Sequence, residues 1–150
     1  MKIWIDADAC PKVIKEVIYK AATRLQLPVC LVANSSMFVP PGPLFSLVTV
    51  DKGADVADQY IVEHVELNDL VVTADIPLAD LVVKKGGIAI NVRGELYTEE
   101  NIRERLSVRD FMKELRDSGV ETGGPASFGP KDKENFTNSL NRILTKLVKS

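Results

Sequence analysis

Short apolar runs alternate with segments of helical periodicity over residues 1–92, and this alternation is the strongest constraint on the fold. Residues 28–33 (PVCLVA) are almost all apolar, which is typical of a parallel strand buried on both faces. The further predicted strands are residues 2–6, 46–50, 70–73 and 88–92. The predicted helices between them are residues 11–26, 53–65 and 76–84. Alternating strands and helices predict an α/β fold with a five-stranded, mostly parallel sheet and helices on both faces.

The last third of the chain predicts helices without further strands. Thr98 is placed to cap a short helix, and Ser107 with Asp110 resembles a capping box for a second helix ending near Asp117. A stretch rich in glycine and proline, residues 118–130, precedes a last helix that begins near Asp132. A chain of 150 residues suits one domain, so we expect residues 1–150 to form a single domain with extra C-terminal helices.

Charge and composition exclude several classes of function. The net charge of −2 excludes a uniformly basic nucleic-acid-binding domain, although residues 101–150 contain 10 basic and 7 acidic side chains. The single histidine, His64, disfavours zinc hydrolases and Ser-His-Asp catalysis. The sequence has no signal-peptide pattern and no apolar stretch of membrane-spanning length. We therefore expect a cytoplasmic protein with no membrane association and with two reduced cysteines.

Five aspartates fall at or near the carboxyl ends of predicted strands, where parallel α/β sheets bind ligands: Asp6, Asp8, Asp55, Asp58 and Asp75. In an extended chain Asp6 and Asp8 point the same way, and Asp55 and Asp58 share a helix face. A divalent cation would relieve the mutual repulsion, and an all-oxygen ligand set selects Mg²⁺ or Mn²⁺ over zinc. The alternative stays open that some of these residues only cap helices.

Several motifs occur together in one order: DADACP at residues 6–11, GADVAD at 53–58, TADIPLA at 73–79, TGGP at 122–125, and a terminal helix with Phe136, Asn138 and Leu140. With these motifs the chain resembles the YaiI/YqxD family of bacterial proteins over essentially its whole length. The resemblance implies a PIN-like three-layer α/β/α fold, related to metal-dependent ribonuclease domains. The turn at residues 6–11 departs from ordinary PIN domains.

The resemblance also implies a site and an activity. In PIN-like nucleases one Asp ends the first strand, as Asp6 does, and another follows the fourth strand, as Asp75 does. An Asp before an x-aromatic-Ile-Val run matches Asp58 and favours it over Asp55 as a ligand. These matches imply a Mg²⁺- or Mn²⁺-dependent nuclease acting on single-stranded RNA. In such a nuclease Asp6, Asp58 and Asp75 would hold the ion. Asp8 or Asp55 would assist in binding it, directly or through water, and the ion would activate a water molecule.

An acidic centre that binds RNA requires positive or donor groups around it. The basic candidates are Lys12, Arg93, Arg103, Arg109, Lys131 and Lys133. The glycine-rich loop at 122–129 can present backbone N–H groups to a phosphate, with Thr122, Gly123, Gly124 and Ser127 as contacts. The alternatives stay open that each basic side chain belongs to solvated surface and that the loop is an ordered connection between helices.

Two other functions remain open from the sequence. A haloacid-dehalogenase-type phosphatase also places Asp-x-Asp after its first strand, as at Asp6 and Asp8, with a Thr such as Thr73 ending a later strand. A non-catalytic module that binds RNA or protein could use the same fold. Cys10 is expected to be a structural thiol, and His64 a partly buried residue on a helix.

Overall fold

A six-stranded sheet forms the centre of the molecule, in a computed structural model that describes residues 1–53, 55–121 and 127–148. The strands are Ile3–Asp6 (β1), Val29–Ala33 (β2), Phe45–Thr49 (β3), Leu70–Val72 (β4), Ile88–Ile90 (β5) and Leu96–Tyr97 (β6). Their order is β3-β2-β1-β4-β5-β6, and all neighbours are parallel except β5 and β6. The predicted α/β class with a mostly parallel sheet is confirmed, whereas the predicted number of five strands is wrong.

The sixth strand is short and depends on a polar turn. Asn91 follows β5, and its side-chain oxygen accepts hydrogen bonds from the backbone N–H groups of Arg93 at 2.9 Å and Glu95 at 3.0 Å. This turn reverses the chain, so that Leu96 pairs with Ile90. Two residues are too few to produce a recognisable alternation of apolar and polar positions, which explains why the sequence did not predict β6.

Five α-helices cover the sheet. They are Lys12–Leu25 (α1), Val56–His64 (α2), Ile76–Lys84 (α3), Glu99–Asp117 (α4) and Pro130–Val148 (α5). Alternate strand residues point to opposite faces, so Ile3 and Ile5 pack on one side and Trp4 on the other. The first side is covered by α1 and α5 and the second by α2, α3 and α4, which gives three layers.

The prediction of two helices between Thr98 and Asp117 is wrong, because α4 is continuous over 19 residues. Thr98 does cap it, in a reciprocal pair of hydrogen bonds with Asn101. Ser107 lies exposed in the helix interior and does not start a new helix. Residues 99–117 contain neither glycine nor proline, so nothing ends the helix before Ser107. The capping-box pattern at Ser107 and Asp110 therefore lies inside a continuous helix.

The last helix begins at Pro130, two residues before the predicted start at Asp132. Proline suits the first turn of a helix, and the Asp132 side chain accepts a hydrogen bond from the backbone N–H of Gly129 at 3.0 Å. Phe136, Leu140 and Leu144 of α5 are fully buried against α1 and the sheet. Among the described residues, no helix has both the length and the apolar character needed to cross a membrane.

Candidate metal site

The register of β1 and β4 brings the first site residues together. Ile5 pairs with Val72, so the next residues, Asp6 and Thr73, are neighbours at the carboxyl edge of the sheet. The Thr73 hydroxyl donates a hydrogen bond of 2.9 Å to the Asp6 carboxylate. Asp6 is half-buried, and Thr73 is buried. Asp6 therefore has a fixed orientation at the end of a central strand.

Asp75 is held by the start of α3. Its carboxylate accepts a hydrogen bond from the backbone N–H of Leu78 at 3.0 Å, and its own N–H donates to the Thr73 hydroxyl at 3.0 Å. Pro77 occupies the first turn of the helix, where its missing N–H costs nothing. Asp75 is thus a helix cap, as the alternative reading allowed, and it keeps further oxygen lone pairs for another ligand.

The start of α2 supplies two more carboxylates. Asp55 precedes the helix in the left-handed conformation (φ 67°, ψ 5°), which Asp tolerates better than most residues. Asp58 lies in the first helical turn and is half-buried. Carboxylate oxygens of Asp55, Asp58 and Asp75 all lie within 4.8 Å of one another. The structure therefore brings together three of the five singled-out aspartates, and the group contains Asp55 where the resemblance implied Asp6.

Burial, with repulsion between neighbouring charges, raises the pKa values of two carboxylates at this site. Burial, a hydrogen bond to Asp75 and the negative charges of Asp75, Asp6 and Asp55 raise the pKa of Asp58 to about 7. Burial also raises the pKa of Asp6, and the charges of Asp75 and Asp8 act in the same direction, against the hydrogen bond from Thr73. Carboxylates with raised pKa values lack a compensating positive charge, which a bound cation would supply.

Asp8 does not join the three carboxylates. Residues Ala7–Ala9 form a 3-10 turn, so the expected extended conformation that would align Asp6 and Asp8 is wrong. The Asp8 carboxylate accepts a hydrogen bond of 2.8 Å from the backbone N–H of Asn34, just beyond β2. The small residues Ala7 and Ala9 permit this tight turn between the strand and α1. Asp8 connects the ends of β1 and β2 and contributes negative charge near Asp6.

Four of the predicted basic contacts lie on segments that start near the same edge of the sheet. Arg93 follows β5, and its guanidinium donates a hydrogen bond of 2.9 Å to Asp132 at the start of α5. Lys12 is exposed in the first turn of α1. Lys131 and Lys133 are exposed in the first turn of α5. The positive charge of Arg93 is paired with Asp132, whereas Lys12, Lys131 and Lys133 are exposed to solvent.

The remaining predicted contacts are less closely connected with the site. Arg103 and Arg109 are exposed on α4, and Arg109 contacts Asp110 at 3.4 Å. Because β6 is antiparallel, α4 begins at the opposite edge of the sheet, so Arg103 lies toward that edge. Ser127 is exposed, and the neighbouring Phe128 packs against the core. Thr122, Gly123 and Gly124 lie outside the described residues.

Three polar residues that organise the site were not predicted in these roles. Thr73 connects Asp6 to Asp75, the backbone N–H of Asn34 donates to Asp8, and Asn91 shapes the turn that carries Arg93. For Thr73 and Asn91 the signal in the sequence is a polar side chain directly after a buried apolar strand, whereas the backbone contact of Asn34 has no such signal. That signal identifies the edge of the sheet but not the hydrogen-bond partner, because the partner lies on another strand or loop.

The two other singled-out side chains show no sign of catalytic chemistry. Burial raises the pKa of the Cys10 thiol to about 12, so the expectation of a structural thiol is supported. His64 lies on α2 as expected, but it is exposed and not partly buried. Its ring stacks on Tyr60 at 4.0 Å between centroids.

A groove of about 530 Å³ opens beside the carboxylates, between α2 and α3. Asp55, Asp58 and Glu63 are its acidic lining residues, and the other lining residues are Gln59 and the apolar Val62, Pro77, Leu78 and Leu81. The carboxylates are thus accessible from a concave surface that has room for a small organic group.

Comparison with known proteins decides the family. Residues 4–146 match the model of the family described as "Uncharacterized BCR, YaiI/YqxD family". The chain belongs to this family. It is 55% identical over 150 residues to a UPF0178 protein of Colwellia psychrerythraea, covering 100% of this chain and 99% of that one.

Two other YaiI/YqxD relatives agree along most of their length. A UPF0178 protein of Shewanella sp. (strain MR-4) is 58% identical over 146 residues, covering 97% of each chain. A UPF0178 protein of Geobacter metallireducens is 54% identical over 149 residues, covering 99% of this chain and 96% of that one. No solved structure matches the chain. The six-stranded, mostly parallel sheet is compatible with the PIN-like fold that the resemblance implied.

Proposed function

We propose that this YaiI/YqxD protein is a Mg²⁺- or Mn²⁺-dependent nuclease acting on RNA. The observation that carries the proposal is the convergence of Asp55, Asp58 and Asp75 within 4.8 Å at the carboxyl edge of the parallel sheet. This edge is the usual ligand-binding position in open α/β sheets. Asp6 lies at the same edge and is electrostatically coupled to Asp58 and Asp75.

The donor set fits a hard divalent cation. All candidate ligand atoms are carboxylate oxygens, which suit Mg²⁺ and Mn²⁺ and do not favour zinc. Burial and the neighbouring carboxylates raise the pKa of Asp58 to about 7. Without a cation, the ionised form of Asp58 is therefore destabilised in the folded protein. Asp55, Asp58 and Asp75 are the residues that would hold the ion, with Asp6 as a further ligand or hydrogen-bond acceptor.

The residues around the ion position have distinct tasks in this proposal. Thr73 orients Asp6, and the backbone N–H of Leu78 orients Asp75, so two carboxylates are fixed before any ligand arrives. A bound ion supplies activation of water and stabilisation of negative charge on a phosphate. When the ion is bound, its positive charge would keep Asp58 ionised, although burial and the neighbouring carboxylates raise the pKa of Asp58 in the metal-free protein. No histidine is needed for this chemistry.

Cleavage assays on single-stranded RNA test the proposal. We expect Mn²⁺ or Mg²⁺ to support cleavage of an end-labelled RNA and EDTA to stop it. Asp58→Asn and Asp75→Asn should each lower the rate by about 100-fold or more, because each removes a charged oxygen from the ion position. Asp80→Asn is the matched control, since Asp80 lies on α3 but pairs with Lys84 at 2.9 Å.

Three other outcomes would contradict the proposal in different ways. A folded protein that neither cleaves a broad RNA panel nor binds Mn²⁺ in calorimetry overturns it. Release of phosphate from an aryl phosphate, without RNA cleavage, would identify a phosphatase. Retention of RNA on a filter without cleavage at any metal concentration would identify a non-catalytic binding module.

A further inference from the structure

A second groove, of about 620 Å³, lies between α1 and the loop that follows β2. Its lining residues are Lys12, Lys15, Glu16, Tyr19, Met37 and Phe38. This set combines two cationic side chains with two aromatic rings, a combination that differs from the acidic and apolar groove beside the carboxylates. We call it the Lys-Phe groove.

Contacts between the two walls fix the shape of the Lys-Phe groove. The Lys15 ammonium contacts the Met37 sulfur at 3.3 Å, which joins α1 to the loop. The Tyr19 ring packs edge-on against Phe45 of β3, with 5.4 Å between centroids. The groove is therefore a built feature of the fold, with a floor anchored to the sheet.

Phe38 is the anomalous residue of this surface. It is 79% exposed, the highest exposed fraction of any large apolar side chain in the described residues. Burial of a phenylalanine side chain normally stabilises the folded protein. Phe38, in the loop that faces α1, contributes almost nothing in this way. An exposed aromatic ring beside cationic groups is the usual arrangement for stacking an unpaired base.

The Tyr19 ring lines the groove, but its hydroxyl lies below the groove surface and is not exposed to a ligand there. Its oxygen is buried, and among the residues that the structure describes it has no hydrogen-bond partner. Burial raises the pKa of Tyr19 to about 12, so the hydroxyl keeps its proton at physiological pH. Buried polar groups usually have a partner in the protein, in water or in a ligand.

We infer that the Lys-Phe groove binds a single-stranded segment of nucleic acid, with Phe38 stacking on a base and Lys12 and Lys15 contacting the phosphates. Stacking on Phe38 requires an unpaired base, which excludes a regular duplex. The inference deepens the proposed nuclease function, and rests on it, because it gives the RNA a path away from the carboxylates.

The position of the Lys-Phe groove suits that path. Lys12 begins α1 four positions after Asp8, and the hydrogen bond between Asp8 and Asn34 joins the two segments that form the groove. Both segments leave the carboxyl edge of the sheet, where Asp6 and Asp75 also lie. The Lys12 end of the groove thus lies toward the edge of the sheet that also contains the proposed metal site.

The charges of the Lys-Phe groove predict opposite effects for neighbouring substitutions. Lys12 and Lys15 attract phosphates, whereas Glu16, which also lines the groove, repels them. Removing a lysine charge should therefore weaken binding, and Glu16→Gln should strengthen it. Because any polyanion would respond to these charges in the same direction, the effect of Phe38 is needed to identify base stacking in the groove.

Fluorescence anisotropy with labelled oligouridylate, in EDTA to prevent cleavage, tests the inference. Phe38→Ala should weaken binding by about tenfold, within the range for loss of base stacking on an aromatic ring. Lys15→Gln should reduce the slope of log affinity against log salt by about 0.7, the value for one phosphate contact with a single strand. Phe111→Ala and Lys84→Gln are the matched controls, because both are exposed and lie on α4 and at the end of α3.

The result separates this inference from the nuclease proposal. The inference is overturned if wild type does not bind oligouridylate, or if Phe38→Ala and Lys15→Gln bind as wild type does while circular dichroism shows them folded. Metal-dependent cleavage that persists in that case would leave the nuclease proposal intact. Binding that depends on Phe38 and Lys15 without any cleavage would support the groove and contradict the nuclease.

Discussion

The Thr73 hydroxyl donates a hydrogen bond of 2.9 Å to the Asp6 carboxylate and accepts one of 3.0 Å from the backbone N–H of Asp75. One buried hydroxyl therefore positions the ends of β1 and β4 and the start of α3. Because it donates to a charged oxygen, the bond to Asp6 favours the ionised carboxylate and opposes the effect of burial.

Thr73→Val should remove this link with little change of shape. The Asp6 pKa should rise further, because the bond that now lowers it is lost. The free energy of unfolding should fall by about 1–3 kcal/mol, since a buried hydrogen bond to a charged group is broken. Thr73→Ser keeps the hydroxyl and should leave the Asp6 titration unchanged, as followed by carboxyl-carbon NMR. Identical Asp6 titrations in the Val and Ser variants would show that the hydrogen bond has no such effect.

The raised pKa of Asp58 predicts a specific dependence of stability on pH in EDTA. The folded-state pKa of about 7 lies above the ordinary value of 3.8, so the folded protein binds this proton more tightly than the unfolded chain does. The resulting stabilisation is complete below pH 3.8 and is lost as the pH rises through 7. Asp58→Asn should remove this loss and make the metal-free protein about 1–2 kcal/mol more stable than wild type at pH 8, a figure reduced for solvent screening.

Urea unfolding at pH 5 and pH 8 measures the effect of Asp58→Asn. The difference in stability between variant and wild type should grow from the lower to the higher pH. Asp80→Asn is the control, because Asp80 is paired with Lys84 and lies outside the three carboxylates. If Asp58→Asn is less stable than wild type at both pH values, repulsion does not govern this site.

The layers of the fold could be predicted because they follow from local patterns. The apolar run at 28–33 and the helical spacing after Pro11 each identify an element without knowledge of the rest of the chain. The bounds of α3, Ile76–Lys84, agree with the sequence prediction. The β6 strand and the continuity of α4 could not be predicted in this way. The β6 strand depends on the turn that the Asn91 side chain stabilises. The continuity of α4 depends on the chain staying helical through Ser107, although the residues there resemble a helix cap.

The composition of the site was predictable to a similar degree, and its geometry less so. Asp6 and Asp75 are identifiable from their places after strands, whereas the preference for Asp58 over Asp55 came from the family resemblance. That Asp55 joins Asp58 and Asp75 depends on the left-handed backbone at Asp55, which a sequence pattern does not specify. The separation of Asp8 depends on a 3-10 turn and on Asn34, which belongs to another strand connection.

Gly94 should be essential for the approach of α5 to the sheet. Its backbone has φ +88°, and an added Cβ would lie 2.6 Å from the backbone oxygen of Asn135. Gly94→Ala should therefore lower the free energy of unfolding by roughly 2–4 kcal/mol, through backbone strain and steric overlap together. Gly119→Ala separates the two causes, since Gly119 has φ +90° and no described atom within 4 Å of the added Cβ.

Chemical denaturation of both variants tests this assignment. Gly119→Ala should lose only about 1–2 kcal/mol, the cost of the left-handed backbone alone. Gly94→Ala should also weaken the ion pair between Arg93 and Asp132. Gly94 directly follows Arg93 and lies against the α5 backbone at Asn135, so a shift of α5 would move Asp132 away from Arg93. Equal losses in the two variants would indicate that the close contact at Asn135 is easily relieved.

Divalent cations should stabilise the folded protein through the three carboxylates. A cation at 100 times its dissociation constant adds about 2.7 kcal/mol to the free energy of unfolding if it binds only the folded state. Mn²⁺ or Mg²⁺ should therefore raise the midpoint of thermal unfolding in wild type and in Asp80→Asn, and much less in Asp75→Asn. The effect should weaken below pH 7, where protons compete at Asp58. A rise of equal size in Asp75→Asn would place the cation elsewhere on the protein.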